Sequence, residues 1–196
     1  MRTSEVKRKT GETDVKIKLN LDGNPADSRI STGVGFLDHM LNLLSKHSGI
    51  EMKVSCKGDT EVDDHHSVED IGIAMGTALN IALNDKKGIR RYGNAIIPMD
   101  EALVLCALDL SGRGGLFFDV SFLTEKVGTF DTELVEEFMN ALAMNAGMTL
   151  HFKQFAGKNS HHVAEACFKA LARALREAAE EDARFKDAVP STKGTL

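Results

Sequence analysis

Alternating apolar and polar residues predict several strands in this chain. Residues 15–21 (V-K-I-K-L-N-L) and 50–56 alternate with the period of a strand that has one buried face. Residues 29–31 lie between them as a candidate short strand, after a turn indicated by D-G-N-P at 22–25. Further along, the pattern predicts strands at residues 102–108, 115–122 and 148–155.

Helical spacing of apolar residues appears between these strands. Residues 36–47 place apolar side chains three and four apart, and Gly49 follows as a predicted C-cap. Residues 134–145 repeat this pattern and end before Gly147. Longer helices are predicted at residues 68–83 and 163–179.

The two halves of the chain repeat the same order of elements. Setting Gly49 against Gly147 aligns His39 with Glu137, and a length difference in the next loop brings His65 onto His161. The repeat therefore predicts an α+β fold, an internal duplication of a small unit with helices packed on one face of each sheet. We expect residues 1–196 to form a single domain of two repeats, at about 1–93 and 94–196.

The pattern H-H-x-x-E occurs once in each half, at 65–69 and 161–165, and uses four of the seven histidines. If a helix begins at each motif, both histidines and the glutamate lie at its first turn. The helix dipole disfavours imidazolium there, so neutral rings would be available to a metal. A single copy of the motif would more often cap a helix or lie on the polar surface, but two copies at equivalent positions of the repeats favour metal binding. His39 joins the predicted ligands because it aligns with Glu137.

Nitrogen and oxygen donors without thiolate suit Mn, Fe, Co, Ni or Zn, and a ligand count near six would favour an octahedral ion over tetrahedral zinc.

Basic residues supply a second feature. Arg113 lies in a glycine-rich turn (S-G-R-G-G) that can present a guanidinium to an anion, and P-S-T-K-G at 190–194 offers a hydroxyl, backbone N–H groups and an ammonium. A phosphate group would suit these donors. No P-loop is present, so a nucleotide-dependent kinase has no support.

Composition limits the partners and the compartment. The net charge of −5 argues against nucleic acid as a main partner. The three cysteines are widely spaced, without C-x-x-C, which argues against a disulfide framework and predicts a reducing compartment. Neither a signal peptide nor a membrane-spanning apolar run is recognisable, so we expect a cytoplasmic protein. A plastid transit peptide removed earlier would leave no trace.

Six segments together resemble the imidazoleglycerol-phosphate dehydratase family of histidine biosynthesis, over essentially the full chain. They are G-F-L-D-H-M-L at 35–41, D-D-H-H-S-V-E-D at 63–70, P-M-D-E-A at 98–102, D-L-S-G-R at 109–113, S-H-H at 160–162 with Glu165, and P-S-T-K-G at 190–194. The resemblance implies repeats like domain 2 of ribosomal protein S5, two Mn²⁺ ions per active site, and a homo-oligomer of 24 subunits with sites between subunits.

The resemblance also assigns roles to individual residues. It places the metal ligands on His39, His65, His66, Glu69, Glu137, His161, His162 and Glu165. It places substrate and phosphate contacts on His47, Arg91, Arg113, Lys169, Ser191 and Lys193, with Glu12 and Asp100 also at the substrate. Two positions depart from the family pattern: Glu137 stands where His is frequent, and Gly114 stands where Pro is common. A carboxylate at 137 still suits Mn²⁺.

The implied reaction is dehydration of D-erythro-imidazoleglycerol phosphate to imidazole acetol-phosphate. The proton that is lost is not next to a carbonyl, so the electrons must come from the imidazole ring, through an imidazolate and then a diazafulvene-like intermediate. Our hypothesis makes Glu12 an acid/base and Asp100 the residue that orients the substrate hydroxyl. Two alternatives remain open: a binuclear metal phosphoester hydrolase, and a non-enzymatic assembly protein held together by metal.

Overall fold

The computed structural model describes residues 2–186, 188–194 and 196. The first half forms one four-stranded sheet of strands β1 (Thr3–Lys9), β2 (Thr13–Asn20), β3 (Arg29–Ser31) and β4 (Glu51–Gly58), in the order β1-β2-β4-β3. β3 runs parallel to β4, and the other pairs are antiparallel. Helix α1 (Gly35–Ser48) connects β3 to β4, and α2 (His65–Leu83) follows β4.

The second half repeats this arrangement. Its strands are β5 (Tyr92–Met99), β6 (Ala102–Asp109), β7 (Gly115–Asp119) and β10 (Thr149–Ala156), in the order β5-β6-β10-β7 with β7 parallel to β10. Helix α3 (Glu133–Ala146) precedes β10 and α4 (Ser160–Ala179) follows it. A small hairpin of β8 (Lys126–Val127) and β9 (Phe130–Asp131) is added before α3. The predicted duplication is confirmed.

The helices cover one face of each sheet, as predicted. Along β2, the alternate residues Val15, Ile17 and Leu19 are buried, and the residues between them face outward. The two units pack through their helices, α1 against α4 and α2 against α3, and their buried apolar residues form one continuous core. This packing brings the start of a helix from one repeat beside a helix of the other. No helix in the described part of the chain is long and apolar enough to cross a membrane.

The first strand of each repeat was not predicted. β1 is an edge strand with no fully buried residue, so T-S-E-V-K-R-K gives only a weak alternating signal. β5 is also an edge strand, and it contains Gly93 and Pro98, which are residues that weaken a strand prediction. Predicted strand 115–122 was too long, because pairing with β10 ends at Asp119. The predicted helix C-cap at Gly49 is confirmed by its φ of 81°. The second helix ends before Gly147 as predicted, and Gly147 is also a left-handed C-cap, with φ 60°.

Candidate active site

Three predicted ligands meet where α1 packs against α4. One side-chain ligand atom from each of His39, His161 and Glu165 lies within 4.8 Å of the other two. The Oε2 atom of Glu165 is 3.4 Å from His161 Nε2 and 4.0 Å from His39 Nε2. His39 belongs to the first repeat and the other two residues to the second, so the packing of the repeats creates this group.

Local structure fixes the start of α4. Asn159 caps the helix, because its side chain accepts hydrogen bonds from the backbone N–H groups of His161 and His162. The edge of the Phe36 ring packs against His161, with 5.2 Å between ring centroids. Lys169 Nζ donates to Glu165 Oε1 at 2.6 Å. Burial is the largest single influence and raises the pKa of Glu165. The hydrogen bond from Lys169, together with the charges of Lys169, His39 and His161, more than offsets burial, so the net pKa is lowered.

A counterpart group lies at the start of α2. His65 Nε2 is 4.0 Å from Glu69 Oε2, the same i, i+4 relationship as His161 and Glu165. Glu137 on α3 lines one cavity with His65, together with Leu116, Glu133, Leu134, Glu136 and Asn140. Glu137 thus shares a cavity with His65, whereas the His39 ring lies 5.9 Å from the His161 ring between centroids. The sequence alignment of His39 with Glu137 agrees with this placement.

The second histidine of each pair faces a different set of carboxylates. His66 Nδ1 is 3.0 Å from Asp59, and its Nε2 is 3.7 Å from Glu12. His162 Nδ1 is 2.7 Å from Glu101, and its Nε2 is 3.7 Å from Asp100. Each motif is therefore divided: its first histidine and its glutamate share one environment, and its second histidine has another.

These carboxylates oppose the helix dipole. Hydrogen bonding to Asp59 raises the pKa of His66, and hydrogen bonding to Glu101 raises the pKa of His162. The sequence predicts that the helix dipole keeps all four histidine rings neutral. At His66 and His162 the neighbouring carboxylates act in the opposite direction and favour the protonated ring. The pKa of Glu101 falls to about 2, because it accepts hydrogen bonds from His162 and from the backbone N–H groups of Asn159 and Lys158.

The two predicted catalytic acids lie on turns that are equivalent in the repeats. Glu12 lies between β1 and β2, and its backbone N–H donates to Thr10 Oγ1. That turn is tied to α2, since Thr13 Oγ1 donates to the buried carboxylate of Asp70. Asp100 lies between β5 and β6 and has a positive φ of 48°. Each turn reaches the second histidine of its own repeat.

Two predicted substrate residues lie on facing helices beside the group of His39, His161 and Glu165. Lys169 on α4 bonds to Glu165, and His47 on α1 is close enough to Lys169 and Arg173 for their charges to act on its ring. Burial lowers the pKa of His47, and the two cations lower it further. The contact between α1 and α4 therefore carries the basic residues Lys169 and Arg173 next to Glu165 and His47.

The remaining predicted phosphate residues lie elsewhere. Arg91 donates to Asp109 at 2.7 Å and to the Pro190 carbonyl at 2.7 Å, which holds the C-terminal tail against the open end of the β5–β6 hairpin. Arg113 is exposed, with Nη2 4.0 Å from Asp109. Ser191 follows Pro190 in the chain, and its side chain accepts a hydrogen bond from the backbone N–H of Lys193. Lys193 is exposed.

Within one chain, Arg91 is far from the start of α4. The backbone N–H of Arg91 bonds to the Ala178 carbonyl, whereas His161 begins the same helix, and 1.5 Å per residue gives roughly 25 Å between them. The β5–β6 hairpin agrees, because Asp100 lies at its closed end and Asp109 at its open end, about 23 Å apart along β6. One chain does not bring all the predicted site residues together.

Three residues of these groups were not predicted. Asp59 and Glu101 contact the second histidines, and Arg173 adds charge beside His47. Glu101 lies within the P-M-D-E-A segment, so its motif was recognised without its contact. Asp59 belongs to an acidic polar loop, and Arg173 falls on the exposed side of a helix, where charged residues are ordinary. These two positions carried no distinct signal.

Comparison with known proteins identifies the family. The profile of the family described as "Imidazoleglycerol-phosphate dehydratase" matches residues 32–175. The imidazoleglycerol-phosphate dehydratase of Jannaschia sp. (strain CCS1) is 59% identical over 196 residues, and that of Ruegeria pomeroyi is 58% identical; each alignment covers both chains completely. The chain belongs to the imidazoleglycerol-phosphate dehydratase family. It is therefore a hydro-lyase of histidine biosynthesis, as the resemblance implied.

Solved structures of this family have the same fold. The crystal structure of imidazoleglycerol-phosphate dehydratase from Staphylococcus aureus is 46% identical, with a TM-score of 0.84 over 92% of this chain and 99% of that one. The structure from Pyrococcus furiosus is 38% identical, with a TM-score of 0.83 over 97% of this chain and 100% of that one.

Proposed function

We propose that this dehydratase acts on D-erythro-imidazoleglycerol phosphate, gives imidazole acetol-phosphate, and requires two Mn²⁺ ions per active site. The observation that carries the proposal is the pair of similar His/carboxylate groups at the starts of α2 and α4, in a chain of this family. The substrate is the one for which its relatives, the imidazoleglycerol-phosphate dehydratases, are named.

The donor atoms at the two groups fit Mn²⁺. The first group, His39, His161 and Glu165, offers two imidazoles and a carboxylate within 4.8 Å of one another. Its counterpart, His65, Glu69 and Glu137, offers one imidazole and two carboxylates. His66 and His162 would complete the eight ligands. A mixture of nitrogen and oxygen donors without thiolate is typical of manganese sites.

The bound ions would act as Lewis acids on the substrate's imidazole ring, so that the ring can supply electrons for loss of the hydroxyl beside it. The diazafulvene-like species that results loses the neighbouring proton to give an enol, which ketonises. We assign to Glu12 the exchange of protons in these steps, and to Asp100 the orientation of the substrate hydroxyl. Both carboxylates are exposed, and each lies 3.7 Å from the Nε2 atom of the second histidine of its own repeat.

We further propose that the active site forms between subunits of a homo-oligomer, in keeping with the 24-subunit shell implied for the family. The support comes from one separation within the chain. Arg91 lies roughly 25 Å from the start of α4, and the glycerol phosphate part of the substrate is far shorter than that. A second subunit can bring its arginines and its C-terminal tail to the metal groups of the first. The phosphate would then bind Arg91, Arg113, Ser191 and Lys193 of one subunit, with Lys169 and His47 beside the metal.

Incubation of the Mn²⁺-loaded protein with imidazoleglycerol phosphate tests the proposal. We expect the ketone product by mass spectrometry, loss of turnover after chelation, and recovery on adding Mn²⁺. Release of inorganic phosphate without ketone would favour the binuclear hydrolase. Metal-dependent assembly with no change in the substrate would favour the assembly protein. Either result would overturn the proposed reaction.

A further inference from the structure

The two second histidines share a contact that the proposed ligand set does not explain. In His66 and in His162 it is Nδ1 that meets a carboxylate, from Asp59 at 3.0 Å and from Glu101 at 2.7 Å. An ionised carboxylate only accepts hydrogen bonds, so the proton of each neutral ring must be on Nδ1. The lone pair of each ring is then on Nε2, which faces Glu12 or Asp100.

The two carboxylates come from different elements. Asp59 directly follows β4, whereas Glu101 lies in the turn between β5 and β6. The residue that directly follows β10, at the place of Asp59, is Gly157. A Cβ atom there would lie 2.7 Å from Val163 and 3.0 Å from Ala102, and the φ of 133° disfavours any side chain. The second repeat has no room for a carboxylate at that position, and a different element supplies it.

Each carboxylate is held in place. Glu101 Oε1 accepts hydrogen bonds from the backbone N–H groups of Lys158 and Asn159, at 3.2 and 2.8 Å, which leaves Oε2 for His162. Asp59 is partly buried and offers both oxygens to His66, at 3.2 and 3.0 Å. The first histidines, His65 and His161, instead meet glutamates through Nε2. The contact on Nδ1 is therefore specific to the second histidine of each pair.

We propose that Asp59 and Glu101 are positioning residues that fix the Nδ1–H tautomer and the ring orientation of His66 and His162, so that each Nε2 is presented to a metal ion. This inference rests on the proposed function, because it takes the two rings as Mn²⁺ ligands. Carboxylates that hold the remote nitrogen of a ligating histidine typically raise metal affinity about 10- to 100-fold. The contact from a second, unrelated element in the second repeat indicates that the ring needs this partner in both halves.

Ring tautomers can be measured in the full-length protein without metal. With ¹⁵N-labelled histidine, long-range ¹H–¹⁵N correlations distinguish Nδ1–H from Nε2–H, and His66→Gln and His162→Gln assign the two rings. We expect both rings to be protonated on Nδ1 whenever they are neutral. Asp59→Asn should shift His66 alone towards Nε2–H, and Glu101→Gln should shift His162 alone. If the tautomers are unchanged in folded variants, the inference is wrong.

Metal binding supplies the second measurement. Titration of Mn²⁺, followed by EPR of the free ion, should show one class of site weakened about 10- to 100-fold in Asp59→Asn or in Glu101→Gln. Asp59→Glu and Glu101→Asp should recover part of the affinity, because they keep an anionic acceptor. Asp119→Asn, which removes an exposed partner of Lys153, is the matched control and should bind like the parent protein.

These outcomes separate the two proposals. A parent protein that binds no Mn²⁺ would contradict the proposed function, and its tautomers would still test the positioning role. A parent protein that binds two ions, with variants that bind equally well, would contradict the positioning role alone. If one variant fails to fold, the other gives the same comparison at the equivalent ring.

Discussion

Lys169 Nζ lies 2.6 Å from Glu165 Oε1, one turn further along α4, and both side chains are largely buried. The ammonium compensates a carboxylate that burial alone would make harder to ionise, and it leaves the other oxygen facing His161. The ion pair therefore joins Glu165, a predicted metal ligand, to Lys169, a predicted substrate-binding residue.

Lys169→Met should lower the free energy of unfolding of the metal-free protein by about 2 kcal/mol, because the buried carboxylate of Glu165 loses its hydrogen-bond donor. Urea denaturation followed by circular dichroism measures this. Lys153→Met is the control, since Lys153 pairs with Asp119 on the surface and should cost less than about 1 kcal/mol. Equal losses in the two variants would show that Glu165 does not depend on Lys169.

Glu12→Gln should reduce kcat by about 10²- to 10⁴-fold, the usual contribution of a general acid/base, with the Mn²⁺ content unchanged. Glu12 is exposed, and it approaches His66 Nε2 only at 3.7 Å, so we expect the fold to be unaffected. Steady-state kinetics of the purified, Mn-loaded variant is the measurement. Glu61→Gln, an exposed carboxylate in a nearby loop, serves as the control. Full turnover in Glu12→Gln would remove Glu12 from the proton transfers.

Asp70→Asn should lower the free energy of unfolding by about 1–3 kcal/mol, because the buried carboxylate accepts hydrogen bonds from Arg8 and Thr13. We also expect a lower kcat, since Thr13 and Thr10 hold the turn that carries Glu12. Urea denaturation and kinetics test the two effects. Asp14→Asn, which loses only an exposed contact with Lys9, should leave both nearly unchanged. A destabilised variant with normal kcat would limit Asp70 to a role in folding.

The sequence predicted the duplication, and it picked out His39, His161 and Glu165, which the fold brings together, because both features leave patterns that recur at a fixed distance. Two H-H-x-x-E motifs and two helices ending at glycine are visible without a structure, and their alignment placed Glu137 opposite His39. The contacts of Asp59 and Glu101 leave no such repeated pattern. His66 and His162 are equivalent, but Asp59 follows β4 and Glu101 lies between β5 and β6, which are not equivalent positions in the two repeats. Nor could the sequence show that Arg91 lies at the far end of α4 from His161, since that separation depends on how β5 packs.

Glu137→Ala should weaken one class of Mn²⁺ site by at least about tenfold, because the cavity shared with His65 loses a carboxylate. Glu136→Ala is a close control: Glu136 lines the same cavity but is exposed. Titration with Mn²⁺ and measurement of bound metal after gel filtration would compare the two. If both variants bind two ions per subunit with the affinity of the parent, Glu137 is not a ligand.

Mixed assemblies test whether the active site is shared between subunits. Arg113→Ala removes a proposed phosphate contact at the open end of the β5–β6 hairpin, and Asp100→Asn removes a proposed substrate contact at its closed end. Each variant alone should have low activity. An equal mixture of the two variants is then dissociated and reassembled. If subunits combine at random, roughly a quarter of the shared sites should contain Arg113 from an Asp100→Asn subunit and Asp100 from an Arg113→Ala subunit.

Activity of the reassembled mixture should therefore rise well above the mean of the two separate variants. The control is each variant carried through dissociation and reassembly by itself, which should show no gain. Because neither Arg113 nor Asp100 is a proposed metal ligand, both variants should assemble as the parent protein does, which gel filtration can check. A mixture no more active than its components would place Arg113 and Asp100 of one subunit in the same site. We expect the opposite result, because Asp100 and Asp109, the neighbour of Arg113, lie about 23 Å apart along β6, farther than so short a substrate can reach.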